Sequence, residues 1–312
     1  MLPMTTHPPP RTRDRLMILS AALLFSTGGA AIKLCSLNGW QVASLRSGIA
    51  AAALLAFLPA ARRGWSWKTW LVGSTYAGTM ICFVLANKLT TAANAIFLQA
   101  TAPFYILLLS PFLLHERVRS RQIWFIAALA AGMSMIFAGA QPPSHTAPDP
   151  VCGNMIGIAA GICWALTIIG LRWLARPTRS VSTAVGDAPS TAVSAVACGN
   201  LIACLVTLPA ALPIRGATAV DWGVLAFLGI FQIAIAYVFM TRGVHRVGAL
   251  EVSLLLLLEP VLSPLWAWLI HGEQPSTLAS LGGAVIVAAT AVYTWSNTRP
   301  TTAGKSSVIS DQ

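Results

Sequence analysis

Charged residues are scarce in this sequence, and acidic residues are scarcer than basic ones. Only 9% of the 312 residues are charged, with 9 acidic and 20 basic side chains, whereas 56% are hydrophobic. The mean hydropathy is +0.72. A water-soluble fold needs more polar surface than this composition supplies. The sequence therefore predicts a membrane protein.

Motifs for catalysis and cofactor binding are also missing. The six cysteines form no CxxC pair and fall mostly in apolar stretches, so we expect neither a zinc site nor a disulfide framework. His115-Glu116 resembles the start of a metalloprotease motif, but no second histidine follows at the required spacing. Nucleophile-elbow, Walker A and dinucleotide-binding motifs are absent. We expect no cofactor, no metal and no direct use of ATP, and an intramembrane enzyme is a remote alternative.

What the sequence does contain is a series of long apolar runs. Runs of about 20 residues are long enough to cross a bilayer core of roughly 30 Å as helices. The chain has ten of them, at 16–35, 41–59, 69–89, 91–114, 121–140, 151–174, 189–209, 220–241, 247–270 and 277–297. The predicted fold is an all-α membrane protein of ten transmembrane helices. Residues 1–15 and 298–312 are predicted to be terminal tails.

The basic residues are distributed unevenly between the two ends of these helices. All but four of the 20 fall on alternate connections or in the tails, the exceptions being Lys33, Arg46, Lys88 and Arg215. This is the positive-inside pattern, and it places both termini in the cytoplasm of a multi-pass cell (inner or plasma) membrane protein. We do not expect a surface that binds nucleic acid, because the positive-inside pattern of a protein in a lipid bilayer already explains where the basic residues lie.

The two halves of the chain repeat a spacing. Pro103 precedes Glu116 by 13 residues, and Pro260 precedes Glu273 by 13 residues, so that an offset of 157 superposes the two copies. The predicted halves are 16–140 and 151–297, and the Pro-rich stretch 141–150 is an extracytoplasmic linker. Because each half has an odd number of helices, the halves insert in opposite directions. The predicted architecture is therefore two inverted five-helix repeats.

These motifs resemble the EamA-type drug/metabolite transporter superfamily, over about residues 16–297 of this chain. The matching residues are Leu258-Glu259-Pro260 through Gly272-Glu273, and the spacing of Phe25 and Lys33 in the first helix. The chain departs from the family pattern at Phe25, where Trp is frequent, and at His115, where Gly is frequent. The resemblance implies an inner-membrane carrier that exports amino acids, other small metabolites or drugs. The direction of transport is implied by the resemblance alone.

Two prolines in the predicted membrane interior are candidate hinges. Pro103 and Pro260 cannot donate hydrogen bonds to the carbonyls of Gln99 and Leu256, so each helix should be kinked there and a polar carbonyl freed. Because the prolines match across the repeat, we interpret them as bending elements of alternating access. The alternative is that they only shape helix packing.

Glu259 lies near the centre of predicted helix 9. An ionised carboxylate at that depth costs about 2.5–3.5 kcal/mol on insertion scales. It should therefore face a wet cavity or a partner. Proton coupling and binding of a substrate ammonium are both open functional roles, and a neutral acid bonded to the helix backbone is the structural alternative.

Arg46 lies in predicted helix 2 near its exterior end. In the functional interpretations, Arg46 attracts a substrate carboxylate or pairs with Glu259. In the structural ones it extends to the outer surface or stabilises neighbouring carbonyls.

Other candidates for the substrate cavity are polar or aromatic side chains at membrane depth. Gln99, Tyr105, Gln232 and Tyr237 either line the cavity or form ordinary interhelical hydrogen bonds. Phe25 and Trp164 either stack on a substrate or pack between helices.

Gly153, Gly157 and Gly161 recur at intervals of four and predict a smooth helix face for close approach of a neighbour. An intramolecular contact is the expected use of this face, and a homodimer interface is the alternative.

The function that these features predict is secondary active transport of a small organic molecule by alternating access. The predicted substrate is amphipathic or zwitterionic, such as an amino acid, a metabolite or a drug-like compound. An importer or an uncoupled facilitator is the alternative.

Overall fold

The structure is nearly all helical. It is a computed structural model that describes residues 12–113, 120–174, 188–244, 247 and 249–298. Within these ranges the only β-type pairing is an isolated bridge between Ser144 and Ala147. Nine of the described helices are long and apolar enough to cross a membrane, and a shorter apolar helix covers Gln122–Ala138. The predicted all-α membrane fold is confirmed.

We number the membrane helices α1 to α10 in chain order. Their bounds are Thr12–Ser26 and Gly28–Leu34 (α1), Gly39–Phe57 (α2), Trp67–Leu89 (α3), Ala92–Gln99 and Ala102–Leu113 (α4), Ser120–Ala138 (α5), Pro150–Leu174 (α6), Ala188–Ala211 (α7), Ala219–Ala226, Phe227–Ile235 and Ala236–Val244 (α8), Ala249–Leu256 and Leu258–His271 (α9), and Thr277–Thr298 (α10). Within the described residues the first helix begins at Thr12.

Side chains at the helix ends explain several of these boundaries. Capping boxes begin three helices, with Asn38 and Gln41 at α2, Ser66 and Thr69 at α3, and Thr218 and Asp221 at α8. Each box satisfies backbone N–H groups that have no partner inside the helix. At the other end of α9, Gly272 adopts a left-handed conformation with a φ of 63°, which ends the helix without strain.

Four of the helices are irregular in their middle. The two segments of α4 are separated by Ala100 and Thr101, and those of α9 by Leu257. The offset of 157 places Ala100 on Leu257, so the two interruptions are equivalent. Each lies within a turn of Pro103 or Pro260, where a helical N–H is missing. In addition, α1 is interrupted at Thr27, and α8 is π-helical over Phe227–Ile235.

Helix packing follows the internal repeat. The helix α2 packs on α7, and α5 packs on α10, so each of these pairs joins equivalent helices of the two halves. The contact of α3 with α6 is matched by that of α8 with α1, and the contact of α3 with α7 by that of α8 with α2. Adding five to each helix number, and returning to α1 after α10, therefore reproduces these contacts. This is the arrangement expected of inverted repeats.

The predicted glycine face of α6 contacts the end of α3 and the first segment of α4 in the same chain. A Cβ added at Gly153 would lie 2.6 Å from the backbone nitrogen of Thr90, and one at Gly161 would lie 2.8 Å from the carbonyl oxygen of Leu98. Only glycine permits this approach. The intramolecular interpretation of this face is the one the structure supports, and the face is not open to a second copy.

We expect Gly153→Ala to lower the free energy of unfolding by about 1–3 kcal/mol, because the new methyl group overpacks the contact between α6 and the end of α3 at Leu89 and Thr90. The control is Gly223→Ala, since Gly223 is also helical and has no neighbouring atom within 4 Å of an added Cβ. The measurement is the thermal unfolding midpoint in detergent. Equal midpoints for the two variants would contradict the close contact.

Candidate functional site

A cavity of about 110 Å³ lies between the two halves of the protein. Its walls come from α1, α2, α3, α4, α6, α8 and α9. The lining residues are Phe25, Arg46, Tyr76, Met80, Phe83, Gln99, Trp164, Gln232, Ile233, Tyr237, Met240, Leu256 and Glu259. Both five-helix halves contribute, so the cavity has the position at which repeat-built carriers bind their substrates.

The cavity brings together seven of the eight side chains predicted to line it. Tyr105 is the exception. Its ring packs with Ala102 and Ala165, and its hydroxyl lies 3.7 Å from the sulfur of Met133. The smooth face of α6 accepts this ring, since a Cβ at Gly161 would lie 3.2 Å from Tyr105 Cε2. Tyr105 is therefore a packing residue between α4 and α6 in this structure.

Arg46 is buried inside the protein, with a relative exposure of 1%. Its Nη2 donates to the sulfur of Met80 at 3.2 Å, whereas Nε and Nη1 have no hydrogen-bond partner in the described part of the chain. The side chain therefore does not extend to the membrane surface. Two donors of a guanidinium are left available in the wall of the cavity.

Glu259 stands in the first turn of the second segment of α9, immediately before Pro260. The N-terminus of a helix favours a negative charge. Among the described residues Glu259 forms no ion pair within 4.0 Å, so the alternative in which it pairs with Arg46 is not the arrangement of this structure. The cavity thus contains one cationic and one anionic side chain that do not neutralise each other by direct contact.

Aromatic rings form much of the remaining wall. The Phe25 and Tyr237 rings meet edge to face with centroids 5.3 Å apart, and those of Tyr76 and Tyr237 do so at 6.0 Å. Trp164 lines the same cavity from α6. Sequence reasoning missed Tyr76, although it is one of only four tyrosines and lies in mid-helix like Tyr237. The Tyr76 hydroxyl is buried.

A buried ion pair closes one end of the bundle. We call this end, where α1 finishes and residues 141–150 lie, the linker end, and the opposite end the terminal end. Lys33 Nζ lies 3.2 Å from Glu273 Oε2, and the two side chains are only 4% and 3% exposed. Glu273 follows α9 as predicted for a residue at a helix end, whereas its repeat counterpart Glu116 lies outside the described residues.

Backbone groups from both halves complete this network. Lys33 also donates to the carbonyl oxygens of Thr90, at 2.8 Å, and Thr146, and Glu273 Oε1 accepts from the Ala92 N–H at 2.6 Å. Burial raises the pKa of the Glu273 carboxyl, and Lys33 and the Ala92 N–H act against this. We call Lys33, Glu273 and these three backbone groups the linker-end lock. It holds α1, the start of α4, the linker and the end of α9 together.

The two ends of the bundle differ in their ion pairs. At the terminal end Arg15 and Glu251 approach to 2.6 Å, but their side chains are 52% and 36% exposed. The charged side chains of the linker-end lock are much less exposed. Since α1 rises about 1.5 Å per residue, Lys33 lies about 12 Å from Phe25 toward the linker end. The linker-end lock therefore lies beyond the cavity, toward the linker end.

Comparison with known sequences gives the family. The sequence model described as the EamA-like transporter family matches residues 15–138 and again residues 151–295. The chain belongs to the EamA-like transporter family. The double match agrees with the internal repeat and confirms the predicted resemblance. This EamA-like protein is a multi-pass membrane transporter and not an enzyme.

Several curated EamA-like relatives are similar at low identity. The pseudopaline exporter CntI of Pseudomonas aeruginosa is 24% identical over 221 residues, which cover 70% of each chain. The aromatic amino acid exporter YddG of Ancylobacter novellus is 26% identical over 231 residues, or 73% of this chain and 76% of that protein. A crystal structure that is 23% identical covers 90% of this chain and 98% of its own, with a TM-score of 0.58. At that identity it supports the fold alone.

Breaking the linker-end lock on one side should destabilise the protein. We expect Lys33→Met or Glu273→Gln to cost about 3–5 kcal/mol, because each leaves a buried polar partner without its counterpart. The double variant should be less destabilised than the sum of the two. The exposed pair provides the control, since Arg15→Gln should cost about 1 kcal/mol or less. The measurement is thermal unfolding in detergent, and additive effects of the two single variants would contradict the coupling.

Proposed function

We propose that this protein is a secondary active exporter that carries a small organic compound across the cell membrane by alternating access. The observation that carries the proposal is the cavity between the inverted halves, at the level of the equivalent interruptions in α4 and α9. Discontinuous helices around a central site are the usual construction of such carriers. Two relatives are named as exporters, which supports the outward direction.

The sidedness follows from the charge pattern. The terminal end carries the excess of basic residues, so we place it in the cytoplasm and the linker end outside. The linker-end lock then closes the exterior side of the cavity, and the substrate enters from the cytoplasm. Release to the exterior requires the ion pair between Lys33 and Glu273 to separate.

Glu259 is the proposed site of proton coupling. An ionised carboxylate in the membrane interior needs compensation by a bound proton or a bound cation. The Glu259 carboxylate holds either a proton from outside or a positively charged group of the substrate. Binding the two in turn exchanges them across the membrane. Because the two occupants compete, outward movement of substrate is tied to inward movement of protons.

The interruptions in α4 and α9 are the proposed hinges. Both are set by a proline within one turn, and both have a counterpart in the other half. Bending at these positions lets the halves rock about the cavity without breaking the packing of the regular helices.

The test of coupling is a flux assay with purified protein in liposomes that contain a pH-sensitive dye. We expect substrate-dependent proton movement in the wild type, and its loss in Glu259→Gln at unchanged protein content. Glu251→Gln is a matched control, since Glu251 lies in the same helix at the terminal end. Substrate flux without proton movement would replace the coupled exporter by an uncoupled facilitator, and accumulation toward the cytoplasmic side would make the protein an importer.

The hinge proposal has a kinetic test. We expect Pro260→Ala to lower the turnover rate by about tenfold, with a smaller change in the substrate dissociation constant, because the variant restores a backbone hydrogen bond across the interruption. Pro209→Ala is the control, since Pro209 also lies inside a helix, α7, but has no role at the cavity. Unchanged turnover in Pro260→Ala would remove the hinge.

A further inference from the structure

We propose that Arg46 is the receptor for a carboxylate of the transported compound, so that the cavity selects a small zwitterion with an aromatic body over amines that lack a carboxylate. This inference rests on the proposed exporter, and it narrows the substrate to α-amino acids and close analogues. It also assigns a role to the buried charge of Arg46, which the proposed export function does not by itself explain.

The environment of Arg46 is that of an anion site. A guanidinium stays protonated in proteins and presents donors in a fixed, planar fork that matches a carboxylate. Two of its three nitrogens have no hydrogen-bond partner among the described residues, although the side chain is only 1% exposed. A buried charge without compensation is costly. An anionic group of the substrate would supply both the charge and the missing acceptors.

The helix that carries Arg46 is held firmly in place. A Cβ added at Gly229, in the π-helical part of α8, would lie 2.9 Å from the carbonyl oxygen of Arg46. Ser44 Oγ fixes the same helix to α7 by donating to the carbonyl of Cys204 at 3.0 Å. The guanidinium therefore projects from a tightly packed backbone, so its position is defined before substrate binds.

The cavity also has acceptors for the other end of a zwitterion. The side-chain oxygens of Gln99 and Gln232 are buried without a hydrogen-bond partner in the described part of the chain. Together with the carboxyl of Glu259 they offer three acceptors, which is the number of N–H bonds that an ammonium group donates. Opposite charges on Arg46 and Glu259 that do not pair with each other match a ligand with opposite charges of its own.

The remaining wall fits an aromatic side chain of limited size. The Tyr237 ring is in edge contact with those of Phe25 and Tyr76, and all three residues line the cavity. The cavity has a volume of about 110 Å³. A single aromatic amino acid therefore requires a modest expansion, whereas a larger drug requires a much greater one.

The test uses the full-length protein in nanodiscs and radiolabelled L-phenylalanine as the probe. Unlabelled L-phenylalanine, phenethylamine and L-phenylalaninamide compete in separate titrations, and the last two lack the carboxylate. We expect each of these two to bind about tenfold to a hundredfold more weakly than phenylalanine, the range that charge-assisted hydrogen bonds provide. Equal competition by either amine would overturn the inference, as would the absence of phenylalanine binding.

Variants of Arg46 test whether the discrimination resides in this side chain. In Arg46→Gln we expect phenylalanine to bind as weakly as phenethylamine. The affinity for phenethylamine itself should change little between the wild type and this variant. The effects of losing the guanidinium and of losing the carboxylate should therefore not be additive. Arg46→Lys retains the charge and should recover part of the discrimination. Arg172→Gln is the control, since Arg172 is exposed at the terminal end. Retained discrimination in Arg46→Gln would overturn the assignment, and the wild-type titrations decide the case if that variant does not fold.

Failure of this inference can be told apart from failure of the proposed exporter. Export of a carboxylate-free amine from liposomes would overturn the role of Arg46 and leave the exporter standing. Binding of phenylalanine without flux of any probe would overturn the exporter and support the binding assignment.

Discussion

Charges buried within a membrane protein are costly, and the placement of four of them organises this transporter. Lys33 and Glu273 compensate each other in the linker-end lock, where further backbone groups satisfy them. Arg46 and Glu259 lie in the wall of the cavity and form no direct pair. The first two charges therefore stabilise one conformation. In the proposed transport cycle, the second two bind a substrate and a proton.

The same constraint explains where the helices are irregular. Within a bilayer, an interrupted helix is tolerated only where protein or a wet cavity satisfies its backbone groups. All four irregular positions carry or adjoin a cavity residue: Phe25 beside the break in α1, Gln99 beside the break in α4, Gln232 in the π-helical part of α8, and Glu259 beside the break in α9. Two of the four are related by the internal repeat. The regular helices between them pack in equivalent pairs.

The sequence predicted the parts of this structure that depend on local pattern. Apolar length identified the helices, the spacing of Pro103 and Pro260 identified the repeat, and the cost of intramembrane charge singled out Arg46 and Glu259. The contribution of α3 to the cavity escaped prediction, because Tyr76 lies in a helix whose orientation only packing decides. Helix orientation also decides the position of Tyr105, whose ring packs with Ala165 of α6 in this structure, and its role in substrate binding stays a prediction. The partnership of Lys33 with Glu273 joins residues that are remote in the chain, and no single-sequence pattern reports such a contact.

Accessibility of the cavity from each membrane face is the most direct measure of alternating access. The measurement is the rate at which a membrane-impermeant thiol reagent modifies Met240→Cys, in vesicles of known orientation and in a protein whose native cysteines are replaced. Met240 lines the cavity. With the linker-end lock intact, labelling from the linker-end face should be slow. Lys33→Met should raise that rate and lower the rate from the opposite face. Rates that do not respond to the lock would contradict the account.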